Sequence, residues 1–513
     1  MARTGNAWPM AVVVGLGTLA CRPDDGAVGP TGSTGATATS DTAAPADTVA
    51  DSTGGTPMEP VPGPWDRGWP VPAEPQSEGD PAAGYHDLLH TGYLSCGVPQ
   101  VIWPLVRPWL GGYVMDETIP GREGDNATMA YDWTVHTAPS GVRLVSQNCL
   151  QCHAGRFNGE LIIGLGNADR DFTSSTSELL GGLPIAEFGI QGTVLAELTK
   201  FIERTRGIGD NAAMRTIGTN PAEMVAISLV AHRDVNTLAW SEEPWFDIPE
   251  VPVPSDVPPW WRSAKKNALF YNAMARGDHR GTMILVTALC TDTVDEAMEI
   301  ASHFDDIHAY VRSLQAPKYP FAIDEALAAA GEPIFNADCA PCHGTYAEQD
   351  ADEWFPNLLL PLDVVGTDPV VAEGGTLWAP ELVQWYSASY YGSITRMEVD
   401  DPFTGYLAPP LDGVWATGPF LHNGSVPNLA LVLDSTRRPT YWRRIDFDST
   451  HFDEISLGWP YLALDYGHEG ASAAESVRIY DTTQFGHGAG GHTFGDHLSP
   501  DERTAVLEYL KTL

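Results

Sequence analysis

Positive charge is scarce in this chain. Its 513 residues hold 28 Lys and Arg against 67 Asp and Glu, a formal net charge of −39. So acidic a surface repels the phosphates of nucleic acid and of anionic lipid head groups, and no nucleic-acid partner is expected. The same charge can steer a basic protein partner, or serve solubility alone. Long apolar runs are missing too. No stretch reaches the ~18 consecutive apolar residues of a membrane-crossing helix. Cysteine is sparse, with seven residues in the chain, which excludes a small disulfide-stapled scaffold. Aromatics are ample overall, 16 Trp, 17 Tyr and 16 Phe, but none lies between Arg22 and Pro64. That stretch of Thr, Ala, Gly, Ser, Asp and Pro buries too little apolar surface to offset its ordering entropy. It reads as a disordered tether of about 40 residues, reaching about 35 Å.

Four of the cysteines stand in a repeated pattern. Cys149-Leu150-Gln151-Cys152-His153 recurs as Cys339-Ala340-Pro341-Cys342-His343. C-x-x-C-H is the attachment signature of c-type haem: two thiols add to the porphyrin vinyl groups, and the adjacent imidazole reaches the iron as proximal ligand. A zinc site would want a second Cys or His pair at short spacing, and neither motif has one. The expectation is two covalently bound haem c groups, with His153 and His343 as iron ligands.

Haem c attachment implies an oxidising compartment outside the cytoplasm. Of the remaining cysteines, Cys96 and Cys290 can pair there, or persist as two buried thiols. Cys21 belongs to the N-terminus. Arg3 and the apolar run from Ala11 to Leu19 have signal-peptide character, and Thr18-Leu19-Ala20-Cys21 resembles a bacterial lipoprotein box with Thr in place of the usual Leu. A lipid on Cys21 is expected, with contact to a membrane only through that anchor. The other reading is ordinary cleavage after Ala20. Either way the chain is expected to be exported from a bacterial cytoplasm, and with the lipid to be a periplasmic or outer-membrane lipoprotein.

Helical spacing of apolar residues runs from Asp292 to Gln315 and stops before Pro317. Asp324 to Phe335 predicts a helix leading into the second motif. Asn220-Pro221-Ala222-Glu223 opens another. Ser499-Pro500-Asp501-Glu502 is a capping box that starts a closing helix. The ends of the two closing helices, Ala309-Tyr310-Val311-Arg312-Ser313-Leu314 and Glu508-Tyr509-Leu510-Lys511-Thr512-Leu513, match in residue type, as a diverged duplication would.

The sixth iron position decides what each haem does: two strong protein ligands make an electron carrier, an open side binds a small oxidant. After the second motif the candidates are Met397, His422, His487, His492 and His497. Glycines flank His422 and His492, letting the backbone approach a flat cofactor. His492 ranks first, His422 second, Met397 third. Between the motifs, Trp260, Trp261, Phe270, His279 and Arg280 offer an aromatic wall and polar groups for a distal pocket at the first haem.

Leu411-Asp412-Gly413-Val414-Trp415-Ala416-Thr417-Gly418-Pro419-Phe420-Leu421-His422-Asn423-Gly424-Ser425-Val426-Pro427 resembles the signature of bacterial di-haem c-type enzymes. That group includes the di-haem cytochrome c peroxidases, the methylamine-utilisation di-haem enzyme and the rubber oxygenases. Asn423-Gly424-Ser425-Val426 and Gly491-His492-Thr493-Phe494-Gly495 are most similar to the rubber-oxygenase-like branch. The resemblance implies a reactive first haem with an open distal face and a six-coordinate second haem that relays electrons. Phe420 stands where the methylamine enzyme carries Tyr, so no Tyr ligand comes from that position. The expected architecture is mostly α, with a signal peptide at 1–20, a lipid-anchored disordered tether and lead-in at 21–84, and cytochrome-c-like haem domains with long loops at 85–315 and 316–513. The expected function is redox catalysis on peroxide or dioxygen, with a basic cytochrome or other small electron carrier as partner. The alternative is a pure electron-transfer cytochrome with both irons six-coordinate.

Overall fold

Side-chain caps set where four of the longer helices begin. The computed structural model describes residues 63–110, 115–347 and 352–513. The signal peptide, Cys21 and most of the tether lie outside the described residues. The helices that matter are α1 (Pro81–His90), α2 (Leu150–His153), α3 (Gly192–Gly209), α4 (Ala222–Ala231), α5 (Val294–Ser313), α6 (Glu325–Asp338), α7 (Ala340–His343) and α8 (Pro500–Leu510). Asp80 caps α1 by accepting from the Ala82 N–H, Thr293 caps α5 from Glu296, and Asp324 caps α6 from Ala326 and Leu327. Ser499 and Glu502 form the reciprocal box at α8 that the sequence spells out.

The two motif helices, α2 and α7, sit within one scheme used twice. Helix α1 precedes the first motif and packs on α5, which follows it; α6 precedes the second motif and packs on α8. Each crossing is made by a glycine. A Cβ on Gly84 would collide with the Asp306 carbonyl of α5, and one on Gly331 with the Ala505 carbonyl of α8. Gly84→Ala and Gly331→Ala should therefore each destabilise the fold by about 1–3 kcal/mol, overriding the ~1 kcal/mol that alanine gains in helix propensity. Guanidinium unfolding followed by tryptophan fluorescence measures this. Gly181→Ala, whose nearest neighbour is the end of the Arg206 side chain at 4.0 Å, is the neutral control.

The expectation of a mostly α chain is corrected. Thirteen strands form five small antiparallel sheets among the described residues. Arg143–Gln147 lies between Trp133–Thr137 and Val98–Pro99. Leu358–Pro361 lies between Trp69–Pro70 and Gly405–Leu407, and Tyr441–Arg444 between Tyr461–Leu464 and Tyr480–Asp481. A hairpin, Ala154–Phe157 with Glu160–Ile163, and a long-range pair, Ala275–Gly277 with Thr395–Met397, complete the set. The strands are two to five residues long. Alternation over so few residues gives no sequence signal, whereas the pairing satisfies backbone groups that long buried loops would otherwise leave without partners.

The described residues, from Gly63 onward, cluster as one compact unit. Cys96 and Cys290, both fully buried in its largest apolar cluster, are joined as a disulfide. A second cluster gathers Trp261, Phe335, Trp415 and Tyr509 around the second motif. No described helix is long and apolar enough to cross a membrane.

Candidate haem sites

At the second motif, Cys339 and Cys342 are free thiols at the start and within α7, and His343 ends that helix. The His343 Nδ1 lies 2.8 Å from the Pro409 carbonyl and donates to it, which leaves Nε2 as the lone-pair nitrogen. Across from it stands His492, with ring centroids 6.2 Å apart at 49°. Two imidazoles on one metal atom, each bonded at about 2.0–2.1 Å, place their ring centres about 6.3 Å apart. The spacing is that of a bis-histidine iron, so the residues present fit a haem here.

Backbone geometry puts His492 in place. Gly491 and His492 both take left-handed φ, 71° and 45°. Gly491 presses against Gly366, leaving no room for a Cβ, and the His492 N–H donates to the Val365 carbonyl at 2.6 Å. Burial holds the imidazole neutral, with its pKa pushed down to about 3, which suits a metal ligand.

The other ranked candidates go elsewhere. His422 stacks on Tyr406 at 4.1 Å, its Nε2 lies 3.1 Å from the Tyr406 hydroxyl, and its carbonyl accepts from the Asp256 N–H at 2.7 Å. Met397 lies on the strand paired to Ala275, inside the largest apolar cluster. His487 has its Nδ1 on the Phe485 carbonyl, and His497 sits at the surface 3.5 Å from Asp338.

The first motif is built differently. Cys149 and Cys152 are free thiols and His153 closes α2. The His153 ring is stacked on Trp260 at 4.7 Å and 22°, and its Nδ1 has no partner among the described residues. Beside these three residues opens a cavity of about 430 Å³. This falls within the ~300–1,000 Å³ typical of ligand and cofactor sites, so a haem fits here as well. Phe201, Thr205 and Ile208 reach the cavity from α3, and Glu223, Ala226 and Leu229 from α4.

Of the distal-wall residues expected from sequence, Trp260 and Phe270 line the cavity. Trp260 lies flat against His153, the first motif's histidine. Trp261 turns away: its Nε1 donates to the Asp412 carbonyl at 2.8 Å. His279 is buried edge-on to His308 at 6.1 Å, outside the cavity lining. Arg280 is held by Asp278 and Asp305.

Sequence reasoning missed Glu223 and Asp256 among the polar groups that face the cavity, and placed Lys266 only within a charged block after the Trp260-Trp261 pair. Glu223 is partly accessible and lines it; withdrawal from bulk water pushes its carboxyl up to about 7. Asp256, which accepts from the Tyr271 hydroxyl at 2.7 Å, is likewise pushed up to about 7 by burial. Lys266 is pushed down to about 8 by burial, helped by the Arg262 charge. Glu223 was legible only as an acid at the start of a helix, where favourable interaction with the helix dipole is the common explanation.

A short loop joins the two sites. It starts at Pro409, which holds His343, and reaches Asp412. The Asp412 carbonyl accepts from Trp261 Nε1 and from Arg262 Nε at 2.9 Å, and its carboxylate takes Lys265 Nζ at 2.5 Å.

Residues 405–443 match the family model described as RoxA-like, cytochrome c-like. The match includes Pro409, Asp412 and His422. It supports a cytochrome c-type function with covalently bound haem c. As it covers one segment, the expected pair of cytochrome-c-like domains is not what the comparison finds. Two uncharacterised proteins of Sinorhizobium fredii are also similar: y4iJ, 28% identical over 262 residues, and y4iM, 27% identical over 243 residues. These alignments take in 39% and 40% of this chain, and the chain spans 41% and 52% of the two relatives' lengths.

Proposed function

We propose that the chain is an exported redox enzyme with a haem c at each motif, acting on peroxide at the first and relaying electrons through the second. The observation that carries this reading is the asymmetry between the motif histidines. His343 faces His492 at ligand spacing, whereas His153 borders a cavity in whose lining it is the only histidine. Haem, when bound, supplies an iron that exchanges single electrons and, on an open face, takes a small oxidant.

The chain's own residues do the rest. Phe172, Phe201 and Phe270 in the wall keep water scarce, which strengthens electrostatics inside. Lys266 draws an anionic or polar oxidant inward. Glu223, as carboxylate, takes a proton from peroxide and, as acid, returns it to the departing oxygen. Reduction of peroxide to two waters takes two electrons and two protons. The electrons come from a basic one-electron donor protein drawn by the net charge of −39, and pass by the Pro409–Asp412 loop to Trp261 and Trp260. Glu223 and Lys266 favour peroxide over dioxygen, since a purely aromatic wall would suit dioxygen and an apolar co-substrate. Export is supported by the Cys96–Cys290 disulfide, a bond that persists outside the cytoplasm.

A second reading has its own observation. Met283 lines the cavity and carries a soft sulfur, which would make the first iron six-coordinate and the protein a carrier. Ferric electron paramagnetic resonance separates the two. The enzyme reading expects one high-spin and one low-spin haem, with peroxide perturbing only the former in stopped flow. Two low-spin haems, one turned high-spin by Met283→Leu, with no response to peroxide, would establish the carrier.

A further inference from the structure

We infer that Arg438 is a positioning residue for the second haem: its guanidinium clamps the loop that carries His492 and sets a positive charge beside that ligand. The inference rests on the proposed bis-histidine second iron.

All five contacts of this side chain are to backbone carbonyls. Nε donates to Leu431 at 2.9 Å. Nη1 donates to Ala489 at 2.8 Å and Gly491 at 2.6 Å, and Nη2 to Val432 at 3.2 Å and His492 at 3.1 Å. Three of the five acceptors lie in the segment 489–492. An arginine this enclosed ordinarily finds a carboxylate. The two that feel its charge, Asp434 and Asp496, are spent elsewhere: Asp434 on Arg503 at 2.6 Å and Asp496 on the Ser435 N–H at 2.8 Å. Arg438 thus gives up an ion pair to hold a loop.

The loop needs holding. Gly488, Gly490, Gly491 and Gly495 make it costly to order, and His492 sits in a left-handed conformation that a free chain seldom adopts. The turn at Val365 and Gly366 supports one side of it through the His492 N–H. Arg438 supports the carbonyl side. Its planar fork can serve several acceptors at once, which a lysine ammonium cannot do in the same geometry. Its guanidinium, bonded to the His492 carbonyl at 3.1 Å, sets a positive charge beside the ligand, which by Coulomb's law favours the reduced iron.

The test uses the full-length holoprotein with Arg438→Gln and Arg438→Lys. The glutamine variant is expected to lower the midpoint potential of the low-spin haem and to speed carbon monoxide binding to its reduced form at least tenfold. The lysine variant keeps the charge and loses the fork. It should restore the potential while carbon monoxide still enters faster than in the wild type, a split that plain loss of packing would not produce. If glutamine does not fold, the lysine variant alone decides, by showing or lacking the faster entry. Wild-type potential and wild-type carbon monoxide kinetics in the variants, with His492→Gly opening the same haem, would overturn the inference and leave the ligand assignment standing. If His492→Gly opens nothing, the ligand assignment fails and the inference falls with it.

Discussion

Replacing His492 by glycine should turn one low-spin ferric haem high-spin, while the same replacement of His422 should leave both spin states unchanged. The ring spacing of 6.2 Å between His343 and His492 leaves space for one metal atom with two ordinary imidazole bonds. Removing one imidazole drops a strong ligand and leaves that iron with a vacant or weakly held position. The haem itself should stay, since thioether bonds from Cys339 and Cys342, as proposed, would hold it independently of the axial ligand. Added imidazole should restore the low-spin signal, because the glycine leaves a gap of the right shape. His422 serves a different purpose, stacked on Tyr406 and tied through its carbonyl to Asp256. Its loss should cost stability and spare the spin state. Should His422→Gly produce the high-spin haem and His492→Gly fail to, the axial assignment is wrong.

What could be read from the chain and what could not divide along physical lines. Covalent chemistry is local, so two C-x-x-C-H segments announce themselves. Helix caps are local too: Ser499 with Glu502, and Asp324, mark their helices to within a residue or two. The unusual backbone at His492 was legible from the glycines on both sides, and the structure gives it φ of 45°. The strands were not legible, because segments such as Val98–Pro99 are defined by their neighbour Arg143–Gln147 rather than by their own pattern. Trp261, His279 and Arg280 lie off the cavity for the same reason. Trp260 and Trp261 are adjacent in sequence, yet one lies on His153 and the other reaches Asp412. Arg438 sits in an ordinary Arg-Arg-Pro stretch, and three of its five acceptors arrive from a loop about 50 residues on.

Glu223→Gln should slow peroxide turnover by about 10²–10⁴-fold, the usual range for loss of a positioned proton-transfer group. The wild-type rate should climb as pH rises through about 7, where the carboxyl, pushed up by its withdrawal from water, loses its proton and becomes a base. The glutamine variant should lose that step. Stability should move the opposite way. The folded-state pKa stands above the unfolded value, so the folded chain holds a proton between about pH 4.5 and 7 that the unfolded chain has released. The stabilisation from this group is complete below that window and is lost as pH rises through it, leaving an ionised carboxylate facing an apolar cavity. A neutral glutamine escapes this cost. At pH 8 the variant should therefore be more stable than the wild type by about 1–3 kcal/mol, and at pH 4 close to equal. Denaturant unfolding at both pH values reads the stability, and stopped-flow mixing with peroxide reads the rate. A residue kept for the fold alone would lose stability on replacement. A residue that costs stability at working pH and gives rate in exchange is one placed for chemistry.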